Sequence, residues 1–260
     1  MTPKTILITG ATSGFGKAIA EKFASDGNHL ILTGRRKDRL QTIQKELAAT
    51  HNGTITILSF DIRDRKSVKE AVSSLHDTTI DILVNNAGLA VGMSTIDDGD
   101  IDDWETMIDT NLKGLLYITK EVLPLLKKST CPHIFNIGST AGKMAYKNGN
   151  VYCATKHAVD ALSQAMRIDL LPYSIKVTAI NPGMAETEFS IVRFKGDIQR
   201  AEKVYEDIQP LLAQDIAHIV HYCAHLPAHV CINDLTVTCT NQANAVYTLR
   251  NSELKKADTL

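Results

Sequence analysis

Short apolar runs alternate with longer amphipathic ones along this chain. KTILIT (4–9) is apolar and β-branched and predicts a strand; glycines follow, then KAIAEKFASDG, with helical spacing ending at Gly27. The same alternation predicts strands at HLILTG (29–34), TITILSFDI (54–62), IDILVNNAG (80–88), HIFNIGS (133–139), SIKVTAINPG (174–183) and DLTVTC (234–239). Between them lie helical patterns: 37–50, 64–76, one long helix over 101–128, a helix over 150–171 and a late helix over 210–226. Strand–helix alternation of this kind predicts βαβ units, hence an α/β fold: a doubly wound, Rossmann-type, mostly parallel seven-stranded sheet with helices on both faces. No repeat, low-complexity tract or linker interrupts it, so residues 1–260 are expected to form one domain. Segment 184–212 breaks the rhythm with a mixed, polar and aromatic stretch. Ligands in open α/β sheets sit beyond the carboxyl ends of the strands, and a long connection there predicts a substrate lid.

Composition narrows the partners. The chain has 260 residues, 44% hydrophobic and 22% charged, with a formal net charge of -1. That balance supplies no electrostatic reason to bind nucleic acid or an anionic membrane. No apolar run reaches membrane-spanning length, and MTPKTILITG is too short for a signal peptide. The five cysteines (131, 153, 223, 231, 239) form no Cys-x-x-Cys pair, which fits free thiols in a reducing cytoplasm.

Four strand ends carry candidate chemistry. In ITGATSGFGKAIA, Gly10, Gly14 and Gly16 stand between the first strand and the first helix, with Thr12, Ser13 and Phe15 among them. Glycines there let a backbone turn approach a pyrophosphate at a helix N-terminus; the same glycines also suit a βα turn that binds nothing. After the second strand, where an acidic residue would hold the ribose 2′-hydroxyl of NAD, this chain has Arg35 and Arg36. Two guanidinium groups suit a 2′-phosphate, and so NADP(H); otherwise they form a solvated cluster. Asp61 and Ile62 close the third strand, near an adenine, although Asp61 equally suits a helix cap. Asn86, Ala87 and Gly88 close the fourth.

The fifth strand ends at Ser139, and the next helix begins with Tyr152 and, one turn on, Lys156. Residues i and i+4 share a helix face. A tyrosine with a pKa near ~10 is a poor base at neutral pH, but an adjacent ammonium and an oxidised nicotinamide favour the phenolate. Ser139 would then hold a substrate oxygen while Tyr152 moves the proton and hydride passes to or from the nicotinamide. Alone, Tyr-x-x-x-Lys reads more simply as the edge of an amphipathic helix. Its company changes that reading.

Taken together, Thr9-Gly10-x-x-x-Gly14-x-Gly16, Asn85-Asn86-Ala87-Gly88, Asn111 in DTNLKG, Ser139, Tyr152-x-x-x-Lys156 and Pro182-Gly183-x-x-x-Thr187 resemble the classical short-chain dehydrogenases/reductases over nearly the whole chain. The resemblance implies a catalytic set of Asn111, Ser139, Tyr152 and Lys156. In it Asn111 holds a water of the proton path, and Lys156 lowers the Tyr152 pKa and holds the nicotinamide ribose. It places Pro182, Gly183 and Thr187 against the nicotinamide, and it implies a homotetramer paired through the long helices. A protein that senses NADP(H) without turnover would have lost Ser139, Tyr152 or Lys156, and all three are present.

The stretches NNAGLAVGM, DDWETMIDTN, GNVYCATK, ETEFSIVRFKGD and LPAHVCIN are similar to the NADP-dependent 3-hydroxy acid dehydrogenases, which act on serine, allo-threonine and related β-hydroxy acids. Sulfoacetaldehyde reductases, which form isethionate, are similar over the same stretches, PGMAETEF included. At 143–147, KMAYK replaces a more usual W-P-Y segment near the substrate, which leaves carboxylate and sulfonate both open. A small anionic hydroxy acid or aldehyde needs a cation. Arg193 in the lid segment is the first candidate, with Lys143, Lys147 and Lys195 as rivals and Arg250, in the tail 241–260, as a residue that would reach a neighbouring subunit's site. Tyr146 either lines the pocket or packs the loop. His218, His221, His225 and His229 recur on and after the late helix, some at metal-ligand spacing. No carboxylate partner or His-Glu-x-x-His motif accompanies them, so the expectation is a polar helix edge or subunit contact and no metal.

Overall fold

The computed structural model describes residues 2–76 and 78–254. In chain order the elements are β1 (Thr5–Ile8), α1 (Gly14–Ala24), β2 (His29–Gly34), α2 (Lys37–Thr50), β3 (Ile55–Ser59), α3 (Arg65–Ser73), β4 (Ile82–Asn85) and α4 (Ile101–Ile108). A π-helical segment (Asp109–Gly114) leads into α5 (Leu115–Leu126), then β5 (His133–Ile137), α6 (Asn150–Asp169) and β6 (Lys176–Pro182). The chain closes with β7 (Ala185–Glu186), α7 (Glu188–Arg193), α8 (Ile198–Lys203), β8 (Leu211–Leu212), α9 (Ala213–Ala224) and β9 (Asp234–Val237). Part of the predicted tail, 255–260, lies outside the described residues.

Seven strands run in the order β3-β2-β1-β4-β5-β6-β9, and every neighbouring pair is parallel. The winding direction reverses between β1 and β4. At that switch point two strand ends diverge and leave a crevice at their carboxyl edge. Strand side chains alternate, so Ile6 and Ile8 enter one core with α1, α2 and α9 (Ile19, Phe23, Leu40, Val220). Leu7, from the same strand, enters the opposite core with α3 and α5 (Val68, Val72, Ile118, Val122). Burial on both faces explains why β1 and β4 read as continuous apolar runs. Across the sheet centre, Asn85 pairs in register with Asn136 and donates to its Oδ1 at 2.9 Å, while Asn136 donates to Ser163 at 2.9 Å. This buried polar chain ties β4, β5 and α6 into one register.

Two predicted elements differ. The long helix over 101–128 is interrupted by the π-helical segment, which contains Asn111. Wider turns of this kind within an α-helix often accompany functional sites. The segment 184–212 is itself folded: Ala185 and Glu186 pair in parallel with Leu211 and Leu212, so a two-stranded neck carries α7 and α8. The pairing joins two runs too short to show period-2 alternation in sequence.

Candidate active site

The crevice at the switch point is built from β1 outward. Thr9 clamps its two sides together: its Oγ1 accepts from the backbone N–H groups of Asn86 and Ala87, each at 2.9 Å, and donates to the Val84 carbonyl at 3.2 Å. Asn86 Nδ2 returns to the Thr9 carbonyl at 2.8 Å and the Gly10 carbonyl at 3.2 Å. Gly10 turns with φ +65°, where other residues are strained. A Cβ on Gly16 would stand 2.4 Å from the Gly10 carbonyl oxygen, so only glycine lets α1 pack this closely on the turn. The N-cap of α1, Ser13, makes no side-chain capping bond, which leaves the first-turn N–H groups open to the crevice.

One cavity of roughly 510 Å³ runs along the strand ends. Nearly every predicted cofactor residue lines it: Gly10, Thr12, Ser13, Gly14 and Phe15, then Arg35 and Arg36, Asp61 and Ile62, and Asn86, Ala87 and Gly88. At its far end are Ser139, Tyr152, Lys156, Pro182, Gly183 and Thr187. Gly16 is the exception, since it faces the Gly10 backbone. The cavity is elongated, has open N–H groups in its middle and an arginine pair at one end, and so the residues present fit a phosphorylated dinucleotide.

The two arginines are not equivalent. Arg36 donates to Thr12 Oγ1 at 2.8 Å, Ser13 Oγ at 2.9 Å and Glu188 Oε2 at 3.0 Å. Arg35 is the more exposed and stands 3.8 Å from Asp61, whose carboxylate Arg63 grips at 2.7 Å. Glu188 was not anticipated from the sequence. It opens α7 and also binds Arg39 at 2.6 Å, linking the folded 184–212 segment to the start of α2. An acidic residue in ETEF carries no signal of a partner about 150 residues away.

At the other end of the cavity α6 brings Tyr152 and Lys156 to Ser139. Both side chains are buried, at 8% and 7% exposure. Ser139 Oγ accepts from the Ala141 N–H at 3.1 Å and donates to the Pro182 carbonyl at 3.5 Å, which holds the hydroxyl at the strand end beside the cavity it shares with Tyr152. Lys156 Nζ donates to the Ile137 carbonyl at 2.9 Å, and burial drags its pKa down to about 8. Burial also pushes the Tyr152 phenol up, against the Arg193 guanidinium and the Ser139 hydroxyl, both of which favour the phenolate. The Lys156 ammonium stands 6.0 Å from the Tyr152 ring centre and is bonded to backbone, and the Arg193 guanidinium adds a second positive charge that favours the phenolate.

Arg193 arrives from the end of α7. Its guanidinium lies 4.9 Å from the Tyr152 ring centre and 5.0 Å from that of Phe189, and it donates to Tyr146 Oη at 2.7 Å. Tyr146 therefore lines the pocket and positions the cation. Three of the rivals are held by other groups. Lys143 is held by Asp160 and Asp234, each at 2.7 Å, and Lys195 by Asp103 at 2.8 Å. Arg250 donates to the Val204 and Glu206 carbonyls of its own chain, so the tail braces the 184–212 segment. Sequence reasoning missed a hollow beside Tyr152 lined by Met93, Trp104, Met107, Asn150 and Arg193. Apart from Arg193, its lining comes from NNAGLAVGM, DDWETMIDTN and GNVYCATK, whose residues carry no local signal of a shared pocket.

Asn111 does not line the main cavity. Its Oδ1 accepts from the Leu89 N–H at 2.8 Å, and its Nδ2 donates to the Leu89 carbonyl at 2.8 Å and Thr155 Oγ1 at 3.1 Å. It pins the loop after β4 to α6. A Cβ on Gly88 would lie 3.2 Å from Asn111 Oδ1 and 3.6 Å from Lys156 Nζ, so glycine keeps these two groups close to the loop.

Comparison with known proteins agrees with this geometry. Residues 4–197 match the model of the short chain dehydrogenase family. An NADP-dependent 3-hydroxy acid dehydrogenase of Escherichia coli K12 is 46% identical over 92% of this chain and 96% of its own. Sulfoacetaldehyde reductase 2 of Chromohalobacter salexigens is 44% identical over 93% of this chain and 96% of its own. A closed form of serine dehydrogenase complexed with NADP+ superposes with a TM-score of 0.88 at 45% identity, covering 95% of this chain and 99% of that one. With its switch-point crevice, glycine turn and Ser139–Tyr152–Lys156 end, this chain belongs to the short chain dehydrogenase family of oxidoreductases.

Proposed function

We propose that the protein interconverts the hydroxyl and carbonyl of a small 3-hydroxy acid, of the serine, allo-threonine or 3-hydroxyisobutyrate type, with NADP(H). The observation that carries this reading is Arg193, a half-buried cation 4.9 Å from the Tyr152 ring, where it would pair with a substrate carboxylate. The relatives named for 3-hydroxy acid and serine substrates support the same choice. Gly10, Gly14 and the open N-terminus of α1 would hold the pyrophosphate, and Arg35, with Arg36 behind it, the 2′-phosphate. When bound, the nicotinamide supplies the acceptor or donor of hydride. Tyr152 moves the proton at its Oη, and Ser139 holds the substrate oxygen beside it. Burial keeps the phenol protonated, ready to protonate a carbonyl; Arg193 and Ser139 favour the phenolate needed in the opposite direction. Lys156 would hold the ribose, and Asn111 keeps the Leu89 loop and α6 together around a proton path.

Segment 184–212 would act as the lid, since its α7 brings Arg193 to the phenol and Glu188 to Arg36. Free thiols, partly exposed at Cys131 and Cys231, suit a reducing cytoplasm, and no helix among the described residues is long and apolar enough to cross a membrane. Exposed Leu116 on α5 and Ile168 on α6 support pairing of the long helices in a homotetramer.

Absorbance at the reduced-nicotinamide band tests the substrate. NADP⁺ is offered with serine, allo-threonine and 3-hydroxyisobutyrate, and NADPH with sulfoacetaldehyde and malonate semialdehyde. Turnover of the carboxylates is expected. Turnover confined to sulfoacetaldehyde, the reading favoured by the 44% identical reductase, would replace carboxylate by sulfonate recognition.

A further inference from the structure

The fold completes a ligand set that the sequence leaves open. Asp26 follows α1, and His221 and His225 sit one turn apart at the end of α9. They meet where the two helices pack. His221 Nε2 lies 2.6 Å from Asp26 Oδ2 and His225 Nε2 lies 3.6 Å from the same oxygen. One donor atom from each residue falls within 4.8 Å of the others. The carboxylate missing from the helix sequence thus comes from 195 residues away. The cluster stands at the end of α1 opposite the glycine turn, about 15 Å along an 11-residue helix, so it is separate from the cavity described above.

Hydrogen bonding decides what each nitrogen can do. His225 Nδ1 lies 2.7 Å from the His221 carbonyl, an acceptor only, so Nδ1 carries the hydrogen. That bond leaves Nε2, 3.6 Å from Asp26 Oδ2, as the ring nitrogen that can bind a cation. The backbone bond also fixes the ring orientation, as outer partners do for metal-bound histidines. The ring of Phe23 packs at 5.3 Å from that of His221 and at 6.3 Å from that of His225. Tetrahedral ligands about 2.1 Å from a zinc ion stand about 3.4 Å from one another; the 3.6 Å His225–Asp26 spacing matches this, and the 2.6 Å His221–Asp26 pair, now hydrogen-bonded, opens to admit the ion. All three side chains keep some exposure, at 35% for Asp26 and 21% for each histidine, so water can fill the remaining positions. Lys22 adds a positive charge nearby, which the Asp26 carboxylate offsets.

We propose that Asp26, His221 and His225 form a binding site for a divalent transition-metal ion of the Zn²⁺ type, clamping the end of α1 to the end of α9. Binding is ligation without redox change. The ion takes the place of the hydrogen between His221 Nε2 and Asp26, and that proton moves to Nδ1 of the same ring or to water. Imidazole and carboxylate donors suit Zn²⁺, Co²⁺, Ni²⁺ and Cu²⁺ over Mg²⁺ or Ca²⁺.

The test is a Zn²⁺ titration of the full-length protein at pH 7.5, by calorimetry and by thermal melting. One saturable ion per chain and a rise in Tm are expected, since a ligand held by the native state stabilises it. Asp26→Asn, His221→Ala and His225→Gln should each weaken binding at least tenfold and abolish the rise. Asp26→Asn keeps the side-chain volume at a surface position, and a far-UV spectrum matching the parent's certifies its fold. Co²⁺ supplies a second readout: its visible absorption should lack the thiolate charge-transfer bands that cysteine ligands would produce. Binding that persists undiminished in the variants, or thiolate bands with Co²⁺, would overturn the site. The absence of saturable binding in the parent would overturn it too, leaving a proton as the occupant of the gap.

Discussion

Lys156 should cost the fold stability, and its removal should reveal how much. The side chain is buried at 7% exposure, and its pKa falls from 10.5 to about 8 because burial penalises the ammonium. At 1.4 kcal/mol per pH unit, that gap opposes the charged native state by about 3 kcal/mol at neutral pH. Lys156→Met keeps the volume and removes the charge. It also removes the bond to the Ile137 carbonyl, a loss of about 1 kcal/mol. The net is a gain of about 2 kcal/mol, or about 4–8 °C in Tm for a domain of this size. The pH dependence carries the sign. Between about 8 and 10.5 the unfolded chain keeps the Lys156 proton and the native chain releases it, so wild-type stability rises with pH in that window. The variant's advantage should be complete below about pH 8 and gone by about 10.5. Circular-dichroism melts of both proteins from pH 7 to 10.5 measure it. A variant that melts below wild type at pH 7, or an advantage that stays constant across the series, would refute the reasoning. Turnover should fall in the same variant, which separates the residue's function from its structural cost.

The other outcomes concern the site. Tyr152→Phe should lower turnover by at least about a hundredfold while nucleotide still binds, read by turnover and fluorescence titration; retained activity would remove Tyr152 as the proton carrier. Arg35→Ala should weaken NADPH about tenfold to a hundredfold and leave NADH nearly unchanged, because only the 2′-phosphate differs. Arg36→Ala should weaken both nucleotides, since Arg36 also holds Thr12 and Ser13; equal behaviour of the two variants would contradict the division of labour between the arginines. Arg193→Ala should raise KM for acidic substrates about tenfold more than for a neutral aldehyde, and an equal rise for both would discard it as the anion's partner.

The sequence by itself determined the layers. Apolar runs such as ILVN, too uniform for a one-sided sheet, required a parallel sheet covered on both faces, and the glycine turn after β1 placed a nucleotide crevice at its carboxyl edge. Tyr152 and Lys156 were legible because helical periodicity is local: residues four apart share a face whatever surrounds them. Partners distant in the chain were not. Only tertiary structure brought Arg193 over the Tyr152 ring, set Glu188 against Arg36 and delivered Asp26 to His221. It also decided how charges act. The same i,i+4 spacing that suggested Lys156 beside the phenol became, once both side chains were buried, an ammonium bonded to the Ile137 carbonyl 6.0 Å from the ring. Spacing along a helix fixes direction, whereas pKa and pairing depend on desolvation and on charges that arrive from elsewhere in the fold.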